Sequence, residues 1–175
     1  DNGGAHVGHV AAVGYELYLE LLEKTIREFK GDKKEAESID PEINVSLAAF
    51  LPQTYIPNTD QRLLAYKRLA TTVNASEIEE LAGEWRDRYG PFPEGVKNLL
   101  LLSRLRLILK ELGIVKMDAG QETFTLNFVS QESFLHVFTE LGQKKCELRP
   151  ESDRRLTVEV WAASMSQRLM RLKRI

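Results

Sequence analysis

One cysteine, three histidines and two tryptophans in 175 residues leave little room for several kinds of chemistry. Cys146 alone cannot close a disulfide within the chain, and with three scattered histidines it cannot furnish a structural zinc site, which takes four Cys or His ligands. No apolar run is long enough to cross a bilayer, no charged-then-apolar leader opens the chain and no initiator Met precedes Asp1. These are the marks expected of a soluble cytoplasmic protein cut from something larger. An excess of charge of one sign is also missing. With 24 basic side chains against 26 acidic ones, and a net charge of -2, the whole chain carries no electrostatic footprint for nucleic acid, so any DNA contact has to be local. This length buries one ordinary core, or one domain with an appended element.

What is present is periodic. Tyr15, Tyr18, Leu19, Leu22, Ile26 and Phe29 recur at helical spacing and predict an amphipathic helix whose apolar stripe must pack on something. The charged tract from Gly31 to Glu42 has no period and reads as a flexible linker and a domain boundary. Ile43, Val45 and Leu47 alternate with polar neighbours as in a short strand, and Pro52 and Pro57 bracket a turn. Asn58 with Gln61, and Asn74 with Glu77, have the spacing of helix N-caps; Gly90 stops the second helix and Pro91 forbids its continuation. Residues 94–112 are apolar around most of a helical circumference and predict a central buried helix ended by Gly113.

Farther on, Phe124, Leu126 and Phe128, and then Leu156, Val158 and Val160, alternate with polar residues as half-buried strands do, with a third strand at Cys146 and Leu148. Ser130 is placed to cap a helix carrying Phe134, Leu135, Val137, Phe138 and Leu141, with Gly142 as its stop. A last helix puts Ala162, Met165, Leu169 and Leu172 on one stripe. Helices cluster before strands, so the expected class is α+β: a helix-rich N-terminal half, then a small, mainly antiparallel sheet.

Catalytic constellations are missing. Gly3, Gly4, Gly8 and Gly14 suggest a phosphate loop, but no Lys-Ser/Thr follows and no strand precedes. His6 and His9 form an H-x-x-H pair without a nearby carboxylate or thiolate, a poor metal site. His136 is two residues from both Phe134 and Phe138, off the face they define, and reads as a surface residue. Cys146 reads as a half-buried structural thiol. Arg62 and Arg68 are six apart and share no face, so together with Lys67 they suit pairing with carboxylates better than phosphate binding. Arg168, Arg171, Lys173 and Arg174 near the C-terminus complement a helix dipole.

The segment after Asn74 carries more. Ile78, Leu81, Ala82, Trp85 and Tyr89 fall on one face, while Glu80, Glu84 and Asp87 form an acidic stripe on the other, with Arg88 near its end. Spacing alone leaves two readings of that stripe, a partner contact or a solvated face.

The text around it separates them. Leu51, Pro52, Tyr55, Ile56, Pro57, Asn58, Arg62, Leu63, Tyr66, Lys67, Arg68, Leu69 and Ala70, followed by Glu84, Asp87, Arg88, Tyr89, Gly90 and Pro93, resemble the C-terminal domain of the bacterial transcription-repair coupling factors. That family's pattern runs LIP, YIPD, RL, YKR(L/I)A and E(L/I)xDR(F/Y)GxxP. Val13, Gly14, Tyr15, Leu17, Tyr18 and Glu20 to Glu23 resemble the end of the family's second RecA-like motor domain. Upstream, His6 and Val7 stand where the family has a Gln-Ser pair, so the coupling of ATP hydrolysis to translocation does not carry over.

The resemblance divides the chain into a hook and helix from the motor at 1–30, a linker at 31–42 and a regulatory domain at 43–175. It implies a non-catalytic domain of a DNA translocase in transcription-coupled repair. Such a domain folds onto an N-terminal UvrB-like module, hides its UvrA-binding surface and restrains the motor until RNA polymerase is engaged. Glu80, Glu84, Asp87 and Arg88 are then the partner-binding residues. No cofactor is expected in this chain, ATP and magnesium belonging to the motor, and DNA is reached through that motor. The alternative is a nucleic-acid-binding module of the same translocase, built on the basic C-terminal helix.

Overall fold

The computed structural model describes residues 3–26, 39–120, 122–144 and 146–160. Among them are helices α1 (Gly3–Ile26), α2 (Thr59–Ala70), α3 (Ala75–Tyr89), α4 (Glu94–Glu111) and α5 (Gln131–Gly142). The strands are β1 (Glu42–Asn44), β2 (Ile114–Ala119), β3 (Thr123–Phe128), β4 (Cys146–Pro150) and β5 (Arg155–Val160). This is the expected α+β class. The chain falls into two compact units, one of Asp1–Ser46 and Ile108–Ile175, the other of Leu47–Leu107, and the division lies within α4. The linker read at 31–42 is described only from residue 39, and the last helix, at 162–172, lies outside the described residues.

In the 47–107 unit local chemistry sets the helix ends. The side-chain oxygen of Asn58 accepts the Gln61 N–H at 2.9 Å, and that of Asn74 accepts the Glu77 N–H at 2.9 Å, so each cap satisfies a donor that the first turn leaves orphaned. Glu77 turns back to accept the Val73 N–H at 2.8 Å. Gly90 ends α3 at φ 92 and ψ -166, a conformation open to glycine alone.

The core of this unit gathers Leu51, Tyr55, Ile56, Leu69, Ile78, Leu81, Trp85 and Val96, and burying each large side chain contributes roughly 1.5–3 kcal/mol. Polar ties hold the Pro52–Pro57 turn against the helices. The Leu51 N–H donates to the Tyr66 hydroxyl at 2.7 Å, Arg62 Nη1 donates to the Ile56 carbonyl at 2.9 Å, and the Tyr55 hydroxyl reaches the carbonyls of Gly90 at 2.8 Å and Trp85 at 3.1 Å. That last contact satisfies backbone acceptors at the end of α3. Much of the motif text that carries the resemblance is therefore architecture.

The other unit is built on a five-stranded sheet in the order β1-β2-β3-β5-β4, with β1 parallel to β2 and the remaining pairs antiparallel. Met117, Phe124, Leu126, Leu156 and Val158 are fully buried on one face. Thr125 and Thr157 share a hydroxyl hydrogen bond of 3.2 Å on the opposite, polar face. α5, capped by Ser130 through the Ser133 N–H, packs on β3, β4 and β5, and α1 packs beside it. The stripe of α1 is buried at Tyr15, Tyr18, Leu19 and Leu22, with the Tyr18 ring centroid 4.2 Å from that of Phe124.

Several elements depart from the sequence reading. α1 begins at Gly3, well before Tyr15, because single glycines cost a helix only about 1 kcal/mol each and no proline interrupts the tract. β1 is three residues long. β2 carries no strand-like alternation, because its register shifts between Ile114 and Lys116, so that Ile114 and Met117, three apart, are both buried. His136 is half-buried, not a surface residue: its Nε2 lies 2.7 Å from the Thr25 carbonyl oxygen, since α1 covers the helix face that local spacing leaves open. Leu135 is 50% exposed although it belongs to the apolar set of α5.

Candidate partner-binding surface

α3 presents its acidic stripe as the spacing demands. Ile78, Leu81 and Trp85 are buried and Ala82 and Tyr89 half-buried, while Glu80, Glu84, Asp87 and Arg88 are all exposed. A capped start, a glycine stop and a buried opposite face fix the helix, so folding draws on the stripe for no more than one exposed ion pair, worth about 1 kcal/mol or less.

The stripe is not uniform. Glu84 is paired with Arg68 of α2, Nη1 to Oε2 at 2.7 Å, the carboxylate pairing expected for that arginine. The Arg68 hydrogen bond, and then its charge, hold the Glu84 carboxyl below the ordinary carboxylate value, and the same bond raises the Arg68 guanidinium. Glu80 and Asp87 have no ion-pair partner among the described residues. Arg88 leans on its neighbour, its guanidinium 5.3 Å from the Tyr89 ring centroid, and Arg86 stands 4.7 Å from that of Phe92. Two open carboxylates and one shared carboxylate make a surface suited to cationic side chains.

The remaining candidates converge on nothing. Arg62 is spent on the Ile56 carbonyl, and Lys67 is exposed. Cys146 is half-buried, on the β4 edge of the sheet. The side chains of His6 and His9, and the basic residues Arg168, Arg171, Lys173 and Arg174, lie outside the described residues. Among the described residues no three His, Cys, Asp or Glu side chains gather as metal ligands, and no helix is long and apolar enough to cross a membrane.

One feature escaped the sequence reading. The outer face of α2 exposes Leu63 to 61% and Leu64 to 56%. The signal for them was there, since α2 turns Ala65 and Leu69 inward and these two leucines are out of step with that pair.

Comparison with known proteins identifies the family of the chain. The TRCF domain family matches residues 45–136. The transcription-repair-coupling factor of Haemophilus influenzae is 32% identical over 130 residues, covering 72% of this chain and 11% of the relative. That of Bacillus subtilis is 30% identical over 156 residues, covering 88% of this chain and 13% of the relative. The chain thus spans little more than a tenth of the length of these relatives. A crystal structure of the C-terminal domain of a transcription-repair coupling factor shares the fold at a TM-score of 0.63 and 21% identity, covering 71% of this chain and 81% of that one.

Proposed function

Because the chain belongs to the TRCF domain family of transcription-repair-coupling factors, we propose that it is the non-catalytic, autoinhibitory interaction domain of a DNA translocase in transcription-coupled repair. It closes onto an N-terminal UvrB-like module through the stripe Glu80, Glu84 and Asp87, with Arg88 at its end. Closure masks the surface that binds UvrA and restrains the motor until RNA polymerase is engaged. The observation that carries this reading is an acidic stripe exposed on a helix whose caps and buried face fix it, with Glu84 engaged only in an exposed pair with Arg68 and Glu80 and Asp87 without an ion-pair partner among the described residues. Modest contacts suffice for such a clamp, because tethering within one chain supplies a high effective concentration, and release is a population shift between closed and open forms.

Titrating the isolated N-terminal module with this chain tests the reading. Saturable binding that weakens with salt is expected, as is no ATP turnover by the chain alone. Absence of binding at low salt, or binding to duplex DNA with a steep counterion-release slope instead, would replace the clamp with a nucleic-acid-binding module.

A further inference from the structure

We propose that Leu64 is the apolar anchor of this surface, and that the partner face it meets carries an apolar side chain ringed by lysine or arginine. The proposal rests on the reading of the stripe as a partner contact, and it adds the residue that holds the partner once charge has steered it there.

Two side-chain contacts mark the register that core packing gives α2 against α3. The Tyr89 hydroxyl lies 3.3 Å from Gln61 Oε1, and Arg68 grips Glu84. Gln61, Leu64 and Arg68 follow one another at steps of three and four, so they lie along one line of α2, and both ends of that line touch α3. Leu64 therefore stands on the edge of α2 next to α3, where Glu84, Asp87 and Arg88 are exposed while Trp85 is buried and Tyr89 half-buried. Leu63 lies about 100° round the helix, on the far flank. The two leucines are nearly equally exposed, at 61% and 56%, but only Leu64 lies on the line of α2 whose ends, Gln61 and Arg68, reach α3.

Charge names the occupant. α3 exposes Glu79, Glu80, Glu84 and Asp87 against Arg86 and Arg88, and both arginines lean on rings of their own unit; α2 adds exposed Asp60, Lys67 and Arg68, the last taken up by Glu84. Glu79, Glu80 and Asp87, without an ion-pair partner among the described residues, outnumber the exposed Lys67 beside Leu64 and call for a cationic partner. Exposed ion pairs contribute little in water, and Glu84 already has a counter-ion in Arg68, so charge alone holds such a partner weakly. Removing the exposed leucine beside the stripe from water supplies the missing attraction, an apolar centre inside a polar rim.

The test titrates the N-terminal module with this chain as wild type, Leu64→Ser, Leu63→Ser, Leu64→Met and Glu84→Ala with Asp87→Ala. Leu64→Ser is expected to weaken binding about tenfold, Leu63→Ser less than about twofold, and Leu64→Met to keep the wild-type affinity. Both serine variants should melt as the wild type does, since neither leucine belongs to the core. Equal losses at the two leucines, or none at Leu64, overturn the anchor. If the carboxylate double variant still loses affinity in that case, the proposed clamp stands without it, whereas a wild type that does not bind removes both. Sedimentation of the chain alone at rising concentration covers the other occupant: a wild-type dimer that Leu64→Ser dissociates would assign the seat to a second copy and overturn the proposal.

Discussion

Arg68 holds both carboxylate oxygens of Glu84 across the α2–α3 hairpin, Nη1 2.7 Å from Oε2 and Nη2 3.2 Å from Oε1. A forked guanidinium fits a carboxylate in this way and fixes its plane as well as its distance. Glu84 thus arrives at any partner already oriented and already partly neutralised, while Asp87, one turn on, has no ion-pair partner among the described residues.

The first prediction concerns the titration of Glu84. Its folded-state pKa lies below the ordinary 4.5, so the pair's contribution to stability is present above that value and is lost as pH falls through the depressed one. Carboxyl carbon shifts followed by NMR should show a midpoint below 4.5 in the wild type and a return toward it in Arg68→Ala. The same midpoint in both proteins would mean that the pair does not persist in solution.

A second prediction separates function from folding. Glu84→Ala with Asp87→Ala should shift the melting temperature of this chain by no more than about 2 °C, because both side chains are exposed on a helix packed by its other face. In the translocase that the proposed function implies, the same changes should weaken closure by roughly tenfold or more and raise UvrA binding. An equally stable double variant with unaltered UvrA affinity would return the stripe to the status of a solvated face.

Two glycines should respond to alanine differently. At Gly90, φ is +92 and an added Cβ meets nothing within 4 Å, so Gly90→Ala costs backbone strain alone, about 1–3 kcal/mol. At Gly113, φ is +73 and the Cβ would also run into Ser133 Oγ and come within 3.1 Å of Val129 Cγ1, disturbing the turn that Ser130 caps. Urea denaturation should therefore rank Gly113→Ala as the more damaging change, and the reverse order would contradict this account of the β2 start.

The fourth prediction concerns alkali. Burial, reinforced by the neighbouring Tyr15, Cys146 and Glu122, pushes the Tyr18 phenol up to about 12 from 10.0. A raised folded-state value means that the stabilisation is complete below pH 10.0 and is lost as pH climbs toward 12. Burial raises Tyr15 and Tyr55 as well, so phenolate absorbance should show several late tyrosines, with the last step lost in Tyr18→Phe. Ordinary titration of every tyrosine would mean that α1 leaves the sheet in solution.

Helix ends and helix faces were legible in the sequence, and so was the acidic stripe. Asn58, Asn74 and Ser130 cap where their spacing placed them, Gly90 and Gly113 stop helices, and Ile78, Leu81 and Trp85 turn inward while Glu80, Glu84 and Asp87 turn out. Each of these is decided within a turn or two of the residue concerned, by a side chain answering a nearby backbone group or by the 3.6-residue period itself.

Tertiary structure decided what each face meets. The α1 stripe required a partner, but only the folded chain shows it buried in the sheet unit, and His136 reaches the Thr25 carbonyl across 111 residues. The shift that hid β2 is defined by its pairing with β3, and the exposure of Leu64 beside Glu84 depends on how α2 lies against α3. Such outcomes rest on contacts between segments distant along the chain, which are set by packing and register; a local pattern specifies the stripe and leaves its complement open.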